Sequence, residues 1–462
     1  MKTGFKYRLL SFMLPGLKRW ILFILIGIAF IVFGVFLLLG YHPVMVSSQF
    51  LHDLIQDAVH FLPHRISGLI VITGGGLVVI VAIARMTVSV LGAYLPDDRE
   101  SIPDVLYRRQ LLGRGPKVVV IGGGTGLSTL LKGIKNYTNN ITAIVAVGDD
   151  GGSSGRLRQE LGVLPPGDIR NCITALADEE KLVTELFRYR FQSGQGLEGH
   201  SFGNLFLSAI YAITDGDMVQ AVKVAGRVLN SRGQVVPSTL SSIALVAQMK
   251  DGRLVKGESQ ITASGGQIER LTIEPIADAT PEALVAITEA DLIIIGPGSL
   301  YTSVIPNLLI SEIVKAIKNA HARKIYICNV MTQPGETSGY TVCDHIEAIL
   351  SHAGVDKSHA NKLIQTVVVN DAALTLTENS SCKPVPLDAE RVNTLGIATV
   401  SKDVVNLEAV SDQNYQHDSD KLAQLIMLEI YKDKKSYPLN IDNLDSDSGI
   451  AVNQEKSSLP IS

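Results

Sequence analysis

The amino-acid sequence predicts an α/β architecture: a mostly parallel sheet with helices on both faces, preceded by an N-terminal pair of transmembrane helices. Three observations carry that prediction. Short apolar, β-prone runs alternate with helical patterns from Lys117 onward, glycine-rich turns follow two of those runs, and two long apolar stretches lie before residue 95. The hydrophobic fraction, 46% of 462 residues, can fill a sizeable core and excludes disorder of the whole chain. A formal net charge of -4 offers no basic surface, so no nucleic-acid partner is expected. Cys172, Cys328, Cys343 and Cys382 form no C-x-x-C pair, which argues against a zinc ribbon or a disulfide framework and fits a reducing compartment.

Residues 1–95 read as the membrane anchor. Every residue from Ile21 to Leu39 is Ile, Leu, Phe, Val, Ala or Gly, and at about 1.5 Å per residue such a helix covers nearly all of a ~30 Å hydrocarbon core. Ser67 to Ala84 is a second uncharged stretch, interrupted by Thr73 and Gly74-Gly75-Gly76. That glycine triplet has apolar surroundings on all sides, so it reads as small packing residues of a membrane helix and not as a phosphate loop. Lys2, Lys6, Arg8, Lys18 and Arg19 precede the first stretch, while Arg85, Arg99, Arg108, Arg109, Arg114 and Lys117 end or follow the second. This charge bias predicts the inner (cytoplasmic) membrane, with both ends and the main domain in the cytoplasm. The connection, with Leu51, Leu54, Ile55, Val59 and Leu62 at near-helical spacing, is expected along the outer membrane surface.

Residues 96–116, polar and rich in Arg and Asp, read as a linker to a nucleotide-binding domain over 117–435. Lys117–Ile121 has the pattern of a buried strand, and Leu127, Leu130, Leu131 and Ile134 then share one helical face. Ile141–Val147 is a second strand. Helical patterns run from Leu182 to Asn230, broken at 194–203 and 215–216. Asp251-Gly252 predicts a hairpin, read as an insertion in the α/β core. Thr280-Pro281 starts a helix to about Ala290, Asp291–Ile295 is a strand, and Pro306 opens a helix to about His321. Strands at Lys324–Val330 and Leu363–Val369 flank a helix near Cys343–Ala353. A helix over about Asp418–Lys432 precedes a polar tail, 436–462, of disordered composition.

The chemistry is expected in the loops. Gly122, Gly123, Gly124, Thr125 and Gly126 lie between a strand and a helix, where backbone N–H groups and the positive helix end attract an anion. The run is not a clean G-x-G-x-x-G, and a tight turn alone would also explain it. Asp149 and Asp150 end the second strand. They could meet a ribose hydroxyl, or hold Mg²⁺ against a diphosphate with Ser153, Ser154 and Arg156 beside them; a solvated turn is the plain alternative. Asn171 follows a rigid Pro165-Pro166-Gly167 turn. His200 and Asn204 belong to another turn, where helix capping is the commoner use of such residues. Gly296, Gly298 and Ser299, with Tyr301 just beyond, repeat the strand-to-glycine turn, and two such turns can flank one crevice. Gln333-Pro334-Gly335-Glu336-Thr337 could line it from a third side.

Six loops taken in order are more specific than any one of them. Val120–Leu127, Val147–Arg156, Pro166–Asn171, His200–Asn204, Gly296–Ser303 and Asn329–Gln333 together resemble the bacterial gluconeogenesis-factor family (YvcK-like) over roughly residues 115–435. That family is related to the 2-phospho-L-lactate transferases of deazaflavin-cofactor synthesis. The resemblance implies a Rossmann-like domain that binds UDP-N-acetylglucosamine or a similar nucleotide, and a role in cell shape and envelope synthesis during gluconeogenic growth. It makes 122–126 and Asp149–Arg156 the diphosphate and metal region, and Tyr301 a nucleotide-sugar contact. Relatives without an anchor would be cytoplasmic, so the anchor is a departure from them.

Two functions follow as expectations: a nucleotide-sugar-binding regulator at the membrane, or a Mg²⁺-dependent transferase acting on a nucleoside-diphosphate donor. An NAD-dependent oxidoreductase using a dinucleotide ranks last, because nothing in the sequence sets His200 beside a nicotinamide. Homo-oligomerisation stays open.

Overall fold

The structure is a computed structural model of the chain, and it describes residues 17–39, 63–91, 110–178, 181–374, 380–411 and 414–431. Two compact units emerge, Met1–Arg109 and Gln110–Ser462. The connection at Leu51–Leu62 and the tail from Ser436 lie outside the described residues.

The first unit holds helices α1 (Leu17–Leu38) and α2 (His64–Leu91). Arg19–Leu38 and Arg65–Thr87 are long and apolar enough to cross a membrane. The helices run antiparallel and touch at glycines. A Cβ on Gly27 would stand 2.9 Å from the Gly75 carbonyl oxygen, and one on Gly34 2.9 Å from that of Gly68. Small residues let helix backbones approach where lipid supplies no hydrophobic drive. Within the triplet only Gly75 serves this contact, since Gly74 and Gly76 face open space.

The second unit is built on a seven-stranded sheet of order β10-β9-β8-β7-β1-β2-β3, parallel throughout. Its strands are β1 (Val118–Gly122), β2 (Ile141–Val145), β3 (Gln234–Pro237), β7 (Leu292–Ile295), β8 (Arg323–Ile327), β9 (Thr366–Asn370) and β10 (Ala398–Lys402). The central strands β1, β2 and β7 are buried at every position, as expected of a parallel sheet covered on both faces. From β1 the chain lays strands outward to β3, then returns to the other side of β1 and continues from β7 to β10. The order therefore reverses between β1 and β7, and open α/β sheets bind ligands at the carboxyl ends of strands where this happens.

Helices α3 (Gly124–Ile134), α4 (Gly152–Leu161), α5 (Pro166–Leu176), α6 (Lys181–Arg188), α7 (Phe202–Ile213) and α8 (Met218–Val228) connect the first strands. The Asp-Gly turn joins β4 (Ala244–Met249) to β5 (Leu254–Lys256), with Gly252 at φ 87°, and β6 (Ile268–Glu274) completes an inserted antiparallel sheet. Within the insertion lies the short helix α9 (Glu258–Ser264). Helix α10 (Pro281–Glu289) leads back into β7.

The segment read as one helix from Pro306 is bent. A π-helical turn over Leu300–Val304 runs into α11 (Ile305–Leu308), and α12 (Ser311–Asn319) follows at 74° to that pair. Leu300, Val304, Ile305, Leu308 and Ile313 are all buried, so packing of both arms decides the bend. Helices α13 (Val342–His352) and α14 (Ala389–Thr394), a β11–β12 hairpin (Val405–Ser411, Asn414–His417) and α15 (Ser419–Gln424) complete the unit. The unit begins earlier than the sequence suggests. Leu112 is buried, and Asn140 donates from Nδ2 to the carbonyls of Gly113 and Gly115, tying that part of the predicted linker to the fold.

Candidate functional site

Two glycine turns meet over the reversal point. Strand β1 ends at Gly122 and α3 starts at Gly124, whose φ of 65° favours glycine. In the turn after the neighbouring strand β7, Gly296 has φ 76° and Gly298 φ 153°. The turns pack backbone to backbone: a Cβ on Gly126 would lie 2.9 Å from the Gly298 nitrogen and from the carbonyl carbon and oxygen of Pro297. Asn307, in α11, ties them together by donating from Nδ2 to the Gly122 carbonyl at 3.1 Å and to the Ser303 carbonyl at 2.8 Å.

The loop after β2 runs directly into a helix. Helix α4 starts at Gly152, so Ser153 and Ser154 sit in its first turn and Arg156 just beyond it. A Cβ on Gly167, at the start of α5, would meet Ser154 Oγ at 2.5 Å and Asp149 Oδ2 at 3.2 Å. Asp168 Oδ2 accepts from Gly124 N–H at 2.7 Å. The amino ends of α3, α4 and α5 thus converge, and their dipoles together favour negative charge between them.

The two aspartates have different surroundings. Asp149 Oδ1 accepts from Gly151 N–H at 2.8 Å, a local turn that leaves Oδ2 beside Gly167. Asp150 Oδ1 accepts from Ser259 N–H at 2.9 Å, so this carboxylate caps α9 of the insertion. Among the described residues no group of three or more His, Cys, Asp or Glu side chains is arranged to hold a metal. Mg²⁺ here would need ligand phosphates and water to complete its shell, which is its usual habit.

The remaining candidates divide between crevice and scaffold. Ser153 Oγ lies 3.0 Å from His200 Nδ1 and accepts from Asn204 Nδ2 at 3.0 Å, and all three side chains are buried. Burial first, and then the Arg156 charge, lower the His200 pKa, so a neutral imidazole joins this network. Ser201 caps α7 through Asn204 N–H. Exposed Arg156 donates from Nη2 to the Glu198 carbonyl at 2.8 Å. Asn171 lies within α5 and accepts from Arg170 at 2.6 Å. Tyr301 turns from the glycine loop into a cavity of about 420 Å³ lined also by Tyr340 and His352, and its hydroxyl is 2.8 Å from that of Tyr340. Ser299 donates to both carboxylate oxygens of buried Glu336 at 2.6 Å.

Residues 118–405 match the family model described as 2-phospho-L-lactate transferase CofD. The chain is 49% identical over 416 residues to a putative gluconeogenesis factor of Nostoc sp. (strain PCC 7120), covering 89% of this chain and 91% of that protein. It is 47% identical over 322 residues to the gluconeogenesis factor of Bacillus subtilis (strain 168), covering 68% of this chain and 98% of that protein. The chain belongs to the gluconeogenesis factor family. A crystal structure of a Bacillus halodurans protein, 45% identical, superposes with a TM-score of 0.64 and covers 68% of this chain and 100% of its own. The Bacillus subtilis and Bacillus halodurans relatives are matched over 98% and 100% of their own length by 68% of this chain.

In this gluconeogenesis-factor crevice, acidic groups that sequence reasoning did not single out stand close to those that it did. Glu258 opens α9 and faces Asp149, Asp168, Glu336 and Asp150; burial first, then those four charges, push its carboxyl up to about 9. Burial, opposed by the Gly124 amide and reinforced by Asp149, pushes Asp168 up to about 6. Asp168 and Glu336 lie inside the Pro166–Asn171 and Gln333–Thr337 loops, where a carboxylate beside a glycine turn is the available signal. Glu258 had none.

A raised folded-state pKa means that the folded unit holds protons which unfolding releases. The associated stability is present below the unfolded pKa, near 4.5 for Glu258, and is lost as the pH climbs toward about 9. We expect the second unit to lose about 2–4 kcal/mol between about pH 5 and about pH 8. Glu258→Gln should flatten that slope and raise stability at the alkaline end. Denaturant titrations of both proteins check this, and equal slopes would contradict the assignment.

Proposed function

We propose that the crevice between the β1 and β7 turns binds a nucleoside-diphosphate-linked sugar of the UDP-N-acetylglucosamine kind, and that the chain acts as a regulator of cell shape and envelope synthesis in gluconeogenic growth. The observation that carries this reading is the convergence of three helix amino ends and two glycine turns at one reversal point of a parallel sheet. A diphosphate matches that array of amides. The nearby carboxylates would oppose a bare anion, so Mg²⁺ held by Asp149, with Asp150 adjoining and ligand oxygens completing the shell, fits the donor set. The relatives carry the name gluconeogenesis factor, which supports the gluconeogenic part of the proposal.

Titration calorimetry of the second unit with UDP-N-acetylglucosamine and Mg²⁺ should return an affinity in the ~micromolar range, about -8 kcal/mol. Absence of heat with every uridine nucleotide would retire the reading. The family model's name favours a second one, transfer of a 2-phospho-L-lactyl group, which the resemblance makes a transfer from a guanosine diphosphate donor to a deazaflavin acceptor with GMP as the leaving group. Its mark would be GMP release that needs Asp149 and Asp150.

Helices α1 and α2 would hold the unit at the cytoplasmic membrane. Protease added outside intact spheroplasts should then leave the second unit uncut, and cleavage there would reverse the orientation.

A further inference from the structure

The cavity onto which Tyr301 and Tyr340 open, about 420 Å³ in volume, lies where Lys250 and the start of β6 face α13 and the turn before it. That volume falls in the range of small-molecule pockets, about 300–1,000 Å³. Tyr301 and Ile268 are buried in its wall, and Tyr340 and His352 are half-buried beside them. The Tyr301 ring stands at 71° to that of Tyr340 and at 85° to that of His352, with centroids 6.3 and 5.7 Å apart. Rings at such angles turn faces as well as edges toward the space they line, and the negative face of an aromatic ring attracts a cation.

The polar groups of the wall point the same way. His352 is neutral: its Nε2 accepts from Leu271 N–H at 2.9 Å, and its Nδ1 donates to the Ala348 carbonyl at 2.7 Å. The Tyr301 and Tyr340 hydroxyls, 2.8 Å apart, use one proton between them and keep lone pairs that can accept from an ammonium N–H. The carboxylates of Glu269, Asp344 and Glu347 line the cavity together with the ammonium of Lys250, which donates to Gln267 Oε1 at 2.8 Å. Asp344 and Glu347 share Arg391 at 3.0 and 3.5 Å, and Glu347 also meets Lys357 at 2.7 Å. Exposed Glu269 forms no ion pair with any described residue. A phosphate would meet a surplus of negative charge here, whereas a cation would gain Glu269 and the ring faces together.

We propose that this cavity is a binding site for a small organic ammonium ion, held against the rings of Tyr301, Tyr340 and His352 with its charge toward the Glu269 carboxylate. The nucleotide sugar proposed above carries the opposite charge and is not the ligand of this site.

Choline and butylammonium are suitable probes, and 3,3-dimethylbutan-1-ol, which has the shape of choline without its charge, is the control. Equilibrium dialysis of the labelled cations against the full-length chain in an uncharged maltoside detergent should show saturable binding in the ~millimolar range. The neutral alcohol should compete at least about tenfold less well than unlabelled choline. Glu269→Gln, at an exposed side chain, should weaken choline about threefold or more, and Tyr340→Leu about tenfold or more. Tyr340→Phe keeps the ring and should bind within about twofold of wild type. Unfolding curves of the variants show whether each keeps its fold, and Glu269→Gln tests the site without touching its buried wall. The site is overturned if neither cation binds saturably, if the neutral alcohol competes as well as choline, or if Glu269→Gln and a folded Tyr340→Leu both bind choline as wild type does.

Discussion

Gly126→Val is expected to weaken the proposed nucleotide binding by about 100-fold or more and to destabilise the second unit by about 1–3 kcal/mol. The reason is a backbone contact. A Cβ at this position would press on Pro297 and Gly298 at 2.9 Å, closer than real Cβ atoms come, and neither neighbour is a side chain that could swing aside. The β1 and β7 turns must then part, and the two walls of the crevice lose their register. Gly126→Ala should show the same effect in smaller measure. Calorimetry and denaturant unfolding of the two variants separate loss of the site from loss of the fold. Wild-type affinity in Gly126→Val would mean that the contact between the turns has no part in binding.

Glu336→Ala costs about 3 kcal/mol of stability and loosens the Gly296–Ser303 loop. One buried carboxylate organises that loop: it accepts from Ser299 Oγ, from Tyr301 N–H at 3.2 Å and from Thr302 Oγ1 at 3.3 Å. Removing it leaves three donors without their acceptor in a site that water reaches poorly. Burial also raises the Glu336 pKa, and the donors oppose that rise. Glu336→Gln keeps one acceptor oxygen but turns an amide toward donors, so it should fall between wild type and alanine. Unfolding curves of the three proteins check the order, and an alanine variant as stable as wild type would contradict it.

Much of the fold was written in local pattern. The apolar run before Gly122, the Asp251-Gly252 hairpin and the Thr280-Pro281 helix start depend on neighbours a few residues away, and periodicity and turn chemistry report such neighbours directly. The bend between α11 and α12 was not legible, because Pro306 marks a helix start equally well in a straight helix and in a bent one. The order of the sheet, and hence the meeting of β1 with β7, depends on pairing between distant segments.

The same division runs through the site. Glycine turns announce themselves, whereas the roles of the acids come from contacts across the fold: Asp168 to Gly124 spans 44 residues, Asp150 to Ser259 spans 109 and Ser299 to Glu336 spans 37. Single-sequence reading could pick out Asp149 and Asp150 by adjacency, yet had no means of seeing that Asp150 Oδ1 caps α9. Tyr301 lies beside a glycine turn, where the resemblance implies a nucleotide-sugar contact; its hydroxyl is engaged with Tyr340 in the cavity that both line, and burial and that bond raise its pKa.

The central claim is that the diphosphate of a nucleotide sugar lies across the reversal point of the sheet. A crystal structure of the second unit with UDP-N-acetylglucosamine and Mg²⁺ tests it most directly. The account predicts phosphate oxygens on the amides of Gly124 to Gly126 and beside Gly298, with the Asp168 carboxylate displaced from Gly124. A ligand seated instead in the cavity of Tyr301, Tyr340 and His352, with Asp168 still on the Gly124 amide, would contradict it.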